Sequence, residues 1–292
     1  MHLLTRPLVR YLVLLGLGIW FLAFVWNAPT FAEPSAVPAQ DLTVHVFLPL
    51  LTSSTPNDAT CDNFAGDPYA AITVNPPPTD RPADQHADLN LALRGYKATT
   101  GTLGLIDYGG STDLQAPKLY SLFADNRVPT FSSVSQVYDW EWTCNCRGNP
   151  ITDPVVSLAG MGVTPGEAMR VPTSQYNIGT VHVRPARGFF EDWREDDPNA
   201  YEVLVLYAAP NRITLKYTRE DNVVRGYTLH IENVCVASNL LQLYQQWNTA
   251  GRAQLPALKA GQTFARAQTN EIGVVIRDNG SFMDPRSRKD WW

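Results

Sequence analysis

The feature that most constrains this chain is the series of short strand-like segments in its second half. Several of them alternate apolar with polar residues at a period of two, which is typical of a strand with one buried face. Asn211 and Asn222 lie in the turns between these segments, and asparagine tolerates the left-handed conformations that turns require. Asp278-Asn-Gly280 predicts a further turn. The predicted strands are residues 134–142, 168–171, 201–208, 213–218, 223–232, 263–267 and 271–277.

Only one segment has the pattern of a convincing helix. It begins at Ser238, continues to about Thr249 and is stopped by Gly251, with apolar residues at helical spacing between them. Farther upstream, residues 88–96 alternate and residues 102–108 follow after a turn, which predicts a hairpin. The 22 prolines and 19 glycines also favour many short strands over a helical bundle. We therefore expect a mainly β protein with one buried helix.

The N-terminus has the pattern of a secretory signal peptide. Arg6 and Arg10 form a basic start, residues 11–26 are apolar, and Thr30-x-Ala32 supplies the small residues of a cleavage site. This predicts a signal peptide over residues 1–32 and a secreted or extracytoplasmic protein. The alternative is an uncleaved N-terminal membrane anchor, although the apolar run is shorter than the roughly 20 residues that a spanning helix needs. Residues 33–60 are expected to form a linker and residues 61–292 the β domain.

Export changes the interpretation of the four cysteines, Cys61, Cys144, Cys146 and Cys235. In an oxidising compartment disulfides are the default. If Cys144 and Cys146 lay on one strand, their Cα atoms would be near the upper limit for a disulfide. We therefore expect each of the two to bond elsewhere, to Cys61 and Cys235, in an order that the sequence leaves open.

Charge and local motifs exclude several classes of function. The chain has 23 basic and 28 acidic residues, a net charge of −5, and no basic cluster apart from residues 286–289. This disfavours nucleic acid as a partner. No two of His45, His86, His182 and His230 have zinc-motif spacing, and the sequence contains no nucleophile elbow, phosphate loop or dinucleotide glycine run. No metal or cofactor is expected.

The first candidate site is the segment Tyr138-Asp139-Trp140-Glu141-Trp142. On a strand, the two acids share one face and the three aromatic residues share the other. Alternating aromatics provide the stacking surface that sugars need, and two neighbouring carboxylates are the acid/base pair of glycosidases. The simplest alternative is that the aromatics fill the core while the acids face water.

The second candidate is the C-terminal part, from Gly261-Gln262 through residues 271–280 to Met283-Asp-Pro285. This order resembles the end of the lysostaphin-type (LytM-like) zinc peptidases, which have a Gly-Gln turn, a His-x-His strand and a closing Asp-Pro. With the upstream pieces, the resemblance extends over about residues 137–285. It implies a β-barrel/sandwich hybrid, with residues 61–127 as an N-terminal β extension of no recognised family.

The metal ligands of that family are missing from this sequence. Its two His-x-His positions fall on Glu271 and Gly273, and only His230 lies close to a family histidine, offset by one residue. A catalytic zinc needs three converging protein ligands. The resemblance therefore implies a non-catalytic protein that binds peptidoglycan or another extracellular glycan or peptide in the family's groove. The expected groove residues are Tyr138, Asp139, Trp140, Glu141, Trp142, His230 and Glu271.

Two other classes of function remain open. One is an active secreted hydrolase, either a zinc peptidase that uses His182, His230 and Glu271 or a glycosidase that uses Asp139 and Glu141. The other is a structural envelope protein without a small ligand. Finally, the chain ends in Trp291-Trp292, which we expect to dock back onto the domain, because two exposed indoles would otherwise form an apolar patch.

Overall fold

The structure is a computed structural model, and it describes residues 61, 64–74, 80–174 and 201–292. The predicted signal peptide, the linker, His45 and His182 lie outside these residues. The described part has fourteen strands, two α-helices and two short 3-10 helices at 83–85 and 119–122. The strands are β1 Ala70–Thr73, β2 Tyr96–Ala98, β3 Phe131–Glu141, β4 Cys146–Pro150, β5 Leu158–Gly162, β6 Ala168–Arg170, β7 Val203–Ala209, β8 Arg212–Lys216, β9 Tyr227–Glu232, β10 Val234–Val236, β11 Gln254–Leu258, β12 Thr263–Ala267, β13 Glu271–Asp278 and β14 Ser281–Met283. The helices are α1 Ser238–Thr249 and α2 Arg288–Trp291.

These strands form two open antiparallel sheets. The large sheet has the order β1-β11-β7-β8-β9-β13-β5-β3-β2, with β14 added to β13 and β4 added to β3. The small sheet has the order β10-β12-β6. The fold is therefore mainly β and sandwich-like, as expected, but the described strands do not close into a barrel.

The centre of the large sheet is buried on both faces. On one face, Ile213, Leu215, Leu229, Ile231 and Val274 belong to the main hydrophobic core. The opposite face carries polar side chains such as Thr214, Thr228 and His230, which are equally buried. Because both faces are covered, every residue of β9 is buried although its sequence alternates.

The polar face is covered by residues 86–96 and by a second, smaller apolar cluster. That cluster consists of Leu91, Val137, Leu158, Val275 and Phe282. The prediction of a strand over residues 88–96 is therefore wrong. The segment forms successive turns, with Leu89 N and Asn90 N donating to His86 O and Gly95 N donating to Leu91 O, and only Tyr96–Ala98 is a strand.

The predicted hairpin partner at residues 102–108 is also wrong. Ile106 makes a single parallel bridge to Ser287, and no other residue of that segment belongs to a strand. Residues 89–91 are buried in succession, and none of residues 102–108 is buried, so neither segment has one buried and one exposed face. Pattern alone does not distinguish such turns from a strand.

The helix and the turn of the C-terminal part are confirmed, but the helix is not buried as expected, because only Leu240 and Tyr244 of its residues are buried. Helix α1 begins at Ser238 and ends before Gly251, which has a left-handed φ of 90°. The Ser238 hydroxyl donates to Phe64 O at 3.2 Å instead of capping the helix. Asn279 and Gly280 have φ values of 48° and 82° in the tight turn between β13 and β14, which is the conformation that an Asn-Gly hairpin favours.

The chain end docks as predicted. Trp291 is fully buried, its ring meets Tyr227 at 5.6 Å and 86°, and its Nε1 donates to Asp284 O at 2.8 Å. The Trp292 ring packs edge-on against Phe131 at 5.8 Å. Both indole N–H groups are satisfied, because Trp292 Nε1 donates to Pro285 O at 2.9 Å.

Candidate functional site

The aromatic and acidic segment lies on the hairpin that joins β3 to β4. Asp139 and Glu141 are exposed, Tyr138 is half-buried and Trp140 is 9 % exposed. The predicted alternation of exposed acidic residues with more buried aromatic residues is therefore correct as far as residue 141. A register shift between Tyr138 and Trp140 interrupts the pairing with β4, and such a bulge increases the local twist of a strand.

Trp142 lies beyond the end of β3, in the turn, and 41 % of it is exposed. Three side chains hold its ring. The guanidinium carbon of Arg81 lies over the ring, 4.7 Å from its centroid. His86 and Trp140 meet it in edge-to-face geometry, with centroids at 5.2 Å and 6.4 Å. We call Arg81, His86, Trp140 and Trp142 the aromatic surface cluster.

Two hydrogen-bonded groups fix the polar side chains of this cluster. Asp80 accepts from Nε and Nη2 of Arg81 at 2.9 Å and 2.8 Å, and this bonding lowers the pKa of the Asp80 carboxyl. The Nδ1 atom of His86 accepts from Asp88 N at 3.2 Å. The neutral imidazole therefore carries its proton on Nε2, which lies 3.5 Å from Asp80 Oδ1.

Burial lowers the pKa of His86 below its usual value, although the nearby Asp88 and Asp80 act in the opposite direction. The cluster thus presents one fixed indole, beside a neutral imidazole and a guanidinium paired to a carboxylate.

The disulfides differ from the predicted pairing. Cys144 bonds to Cys146, and Cys61 bonds to Cys235. The expectation that Cys144 and Cys146 each bond elsewhere is wrong because Cys144 lies in the turn and not on a strand. Asn145 has a left-handed φ of 51°, and the turn brings the two Cα atoms to 5.2 Å, well inside the range for a disulfide.

The two acids of the hairpin have different surroundings. Oδ1 of Asp139 accepts from Trp140 N at 2.8 Å and lies 3.4 Å from Arg94 Nη1. The Glu141 carboxylate lies near Gly148 on β4, where a Cβ atom would meet Glu141 Oε1 at 3.4 Å. Asp139 is therefore engaged by a cation and a backbone amide, whereas Glu141 extends along the hairpin surface.

His230 lies elsewhere, in the covered polar face of β9, where it is 1 % exposed. The Thr214 hydroxyl donates to Leu89 O at 2.7 Å, so it accepts from His230 Nδ1 at 3.0 Å. Nε2 of His230 is buried and has no hydrogen-bond partner among the described residues. Burial lowers the pKa of this imidazole well below its usual value, and the positive charge of Arg277 acts in the same direction.

An ion-pair network beside His230 clamps residues 86–96 to the sheet. Oδ1 of Asp88 lies 2.7 Å from Arg94 Nη2 and 2.7 Å from Arg277 Nη1. Burial by itself would raise the pKa of Asp88, but the two guanidinium groups outweigh it and lower the pKa to about 2. Both arginines also lie over the Phe282 ring, at 5.4 Å and 4.5 Å.

Glu271 occupies a third place, at the start of β13. It pairs with Gly162, and its Oε2 accepts from the Ser132 hydroxyl. A side chain at Gly160 would meet the Glu271 carboxyl carbon at 2.6 Å, so this carboxylate lies across a glycine of β5.

The predicted groove residues therefore fall in three separate places. His230 is opposite Val275 on β13, which is four residues, or about 13 Å, from Glu271. The hairpin segment lies at the other end of β3 from Ser132, the partner of Glu271. In the part of the chain that the structure describes, no group of three or more His, Cys, Asp or Glu residues is arranged to hold a metal ion.

The sequence reasoning did not single out Arg81, His86 and Asn145 as site residues. Arg81 and His86 lie about sixty residues before Trp142 and share no pattern with it. Asn145 gave a weak signal, because an asparagine between two cysteines favours a turn. A contact between residues so far apart in the sequence produces no periodic pattern from which it could be predicted.

A concave surface lies between Pro68, Tyr69 and helix α1. Its volume is about 380 Å³, it is shallow, and amide side chains dominate it. It is lined by Pro68, Tyr69, Asn239, Gln242, Leu243 and Gln246. None of the predicted site residues lies there.

The fold and the site define a disulfide-bonded, mainly β protein that carries one exposed tryptophan, Trp142, on a hairpin. No protein-family model matches the chain, no curated protein matches it, and no solved structure matches it. The resemblance to lysostaphin-type peptidases therefore stays a prediction. Among the described residues, no helix is long and apolar enough to span a membrane.

Proposed function

We propose that this protein is an extracellular, non-catalytic binding protein that holds a glycan against Trp142. The observation that carries the proposal is that 41 % of Trp142 is exposed although its ring is fixed by Arg81, His86 and Trp140. Aromatic rings supply the apolar area on which sugar C–H faces stack. Because the ring is already held in place, binding costs little ordering entropy.

The surroundings of the ring suit a carbohydrate. The side chain of Asp139 is 62 % exposed, and Glu141 and Arg147 are exposed on the same hairpin. As exposed groups of this hairpin, they offer acceptors and a donor to sugar hydroxyls. Asp139 is already paired with Arg94, which favours a binding role over an acid/base role.

Two features support an extracellular location. The N-terminus has the signal-peptide pattern, and the four cysteines form two disulfides, which persist in oxidising compartments. Peptidoglycan is the first ligand to test, because the lysostaphin-type resemblance implies it.

The test is retention on insoluble peptidoglycan, chitin and cellulose. We expect the wild type to bind at least one of them and Trp142→Ala to lose retention about tenfold, the loss of one stacked ring. Tyr120→Ala is the matched control, because Tyr120 is a 36 % exposed aromatic residue in a 3-10 helix outside the cluster. Equal retention of wild type and Trp142→Ala would exclude Trp142 as the stacking residue.

A further inference from the structure

We infer that the Cys144–Cys146 disulfide is a thiol–disulfide exchange site that controls the aromatic surface cluster. The inference rests on the proposed function only for its biological use, because the exchange itself is measurable without a glycan. The expected reductant is a dithiol.

The two disulfides differ in accessibility. Cys144, Cys146 and all of residues 141–147 are exposed. Cys235 is 6 % exposed, and its partner Cys61 is half-buried. Exchange requires a thiolate to approach a disulfide sulfur directly, so the hairpin disulfide is open to attack and the Cys61–Cys235 disulfide is shielded.

The fold also stabilises the two disulfides against reduction to different degrees. A disulfide and the fold stabilise each other, and this coupling increases with the length of the chain that the disulfide closes. Cys61 and Cys235 are separated by 174 residues, whereas Cys144 and Cys146 are separated by 2. The fold therefore contributes much more to keeping the first disulfide closed than the second.

Asn145 connects the hairpin disulfide to the aromatic surface cluster. Its Oδ1 accepts from Arg81 Nη1 at 2.9 Å and from Trp140 Nε1 at 3.4 Å. Its backbone is held in the left-handed region, with a φ of 51°, between the two bonded cysteines. Once the disulfide opens, the turn is free to relax, and Asn145 then releases Arg81 from the face of Trp142.

Reduction of the hairpin disulfide takes two exchange steps. One thiolate of the dithiol attacks Sγ of one cysteine, the Cys144–Cys146 bond breaks, and the leaving sulfur takes a proton from water. The second thiol of the reagent loses its proton to water, and its thiolate attacks the reagent's own sulfur in the mixed disulfide, so that the other cysteine leaves as a thiolate and takes up a proton. The protein disulfide is reduced to two thiols, and the dithiol is oxidised to a disulfide.

The experiment titrates the full protein with dithiothreitol, without glycan, and maps the exposed thiols by alkylation and mass spectrometry. We expect Cys144 and Cys146 to be alkylated at a dithiol concentration at least about tenfold below that needed for Cys61 and Cys235. The far-UV circular dichroism spectrum should stay unchanged at that concentration. Simultaneous alkylation of all four cysteines, or earlier alkylation of Cys61 and Cys235, would overturn the inference.

A second measurement tests the coupling to Trp142. Iodide quenching of tryptophan fluorescence should increase when the hairpin disulfide is reduced, and the increase should disappear in Trp142→Phe. The double variant Cys144→Ser/Cys146→Ser should show the quenching of the reduced protein without reductant. Unchanged quenching after selective reduction would contradict the coupling.

The source of the dithiol and the proposed function are tested separately. The protein is titrated in parallel with dithiothreitol and with a dithiol protein at the same reduction potential. The reagent that reduces the hairpin disulfide faster is assigned as the kind of reductant. Faster reduction by either one supports the exchange site. If selective reduction occurs but no glycan is retained, the exchange site stands and the proposed function fails.

Discussion

The guanidinium of Arg81 lies over the indole ring of Trp142, 4.7 Å from its centroid. These residues are 61 positions apart in the sequence, and their contact joins the segment before β2 to the hairpin between β3 and β4. Asn145 completes the contact by accepting a hydrogen bond from Arg81 at 2.9 Å. The exposed indole is therefore held by a cation on its face together with the rings of His86 and Trp140 at its edges.

Replacing Arg81 should weaken binding more than stability. In Arg81→Ala, Trp142 loses the group on one face of its ring, so we expect retention on the glycan to fall about threefold or more. The midpoint of urea unfolding should stay close to that of the wild type, because the Arg81–Asp80 pair is a surface pair. Retention assays and urea unfolding measure the two effects. Arg225→Ala is the control, since the Arg225 side chain is 79 % exposed, and it should alter neither quantity.

Removing Asp221 should be one of the most damaging single changes to stability. Asp221 and Arg252 form a buried, two-pronged ion pair at 2.6 Å and 2.7 Å. Asp221→Ala leaves the buried Arg252 without its counterion, and such a loss costs about 3–5 kcal/mol. Asp125→Ala, which breaks the exposed pair with Arg127, should cost less than about 1 kcal/mol in the same urea titration. Equal costs for the two variants would contradict this assignment.

The carboxyl of Glu202 should make stability depend on pH. Burial raises its pKa from 4.5 to about 7, although hydrogen bonds from Ser174 act in the opposite direction. A raised pKa means that the folded protein holds a proton that the unfolded chain releases, so this stability is complete below pH 4.5 and is lost as pH rises through 7.

As pH rises, the contribution of Glu202 to the free energy of unfolding should decrease by at most about 3 kcal/mol. Melting curves at pH 5 and pH 8 should show a larger decrease for the wild type than for Glu202→Gln. Glu141→Gln, an exposed replacement of the same kind, should behave like the wild type. A Glu202→Gln variant with an unchanged pH dependence would count against a protonated Glu202.

The buried imidazole of His230 should stay neutral across the physiological range. Burial lowers its pKa, with Arg277, Arg94 and Lys216 acting in the same direction and Asp88 opposing them. Because the folded pKa is depressed, this group contributes stability above pH 6.5 and loses it as pH falls.

Nuclear magnetic resonance of the histidine side chains measures both the charge and the tautomer. The His230 signals should titrate only well below the usual range of a histidine, and the proton should be on Nδ1, where Thr214 accepts it. A titration midpoint near 6.5, or a proton on Nε2, would show that His230 is hydrated.

Most of the β segments of the C-terminal part were predictable from the chain itself. Helix α1 and the turn at Asn279 and Gly280 follow from local signals, namely the spacing of apolar residues and a left-handed turn pair. The alternation of residues 138–141 on β3 was equally local. These predictions succeed because the physical cause lies within a few residues of the effect.

The predictions that were wrong concern residues whose structure depends on distant parts of the chain. Residues 88–96 cover the polar face of the large sheet and do not form a strand, because Asp88 pairs with Arg277, a residue far away in sequence. The disulfide pairing depended on whether Cys144 lay on a strand or in a turn. The position of Arg81 on Trp142 required both the path of residues 80–86 and the hairpin geometry.

The sequence by itself determined the secondary-structure class, the helix and the alternation of residues 138–141 on β3, because these depend on backbone periodicity and local turn chemistry. Only the tertiary structure decided which polar side chains were buried, which cysteines were bonded and which residues surround Trp142. Those choices are made by long-range packing, since a buried ion pair or an aromatic contact is favourable only when two distant segments meet.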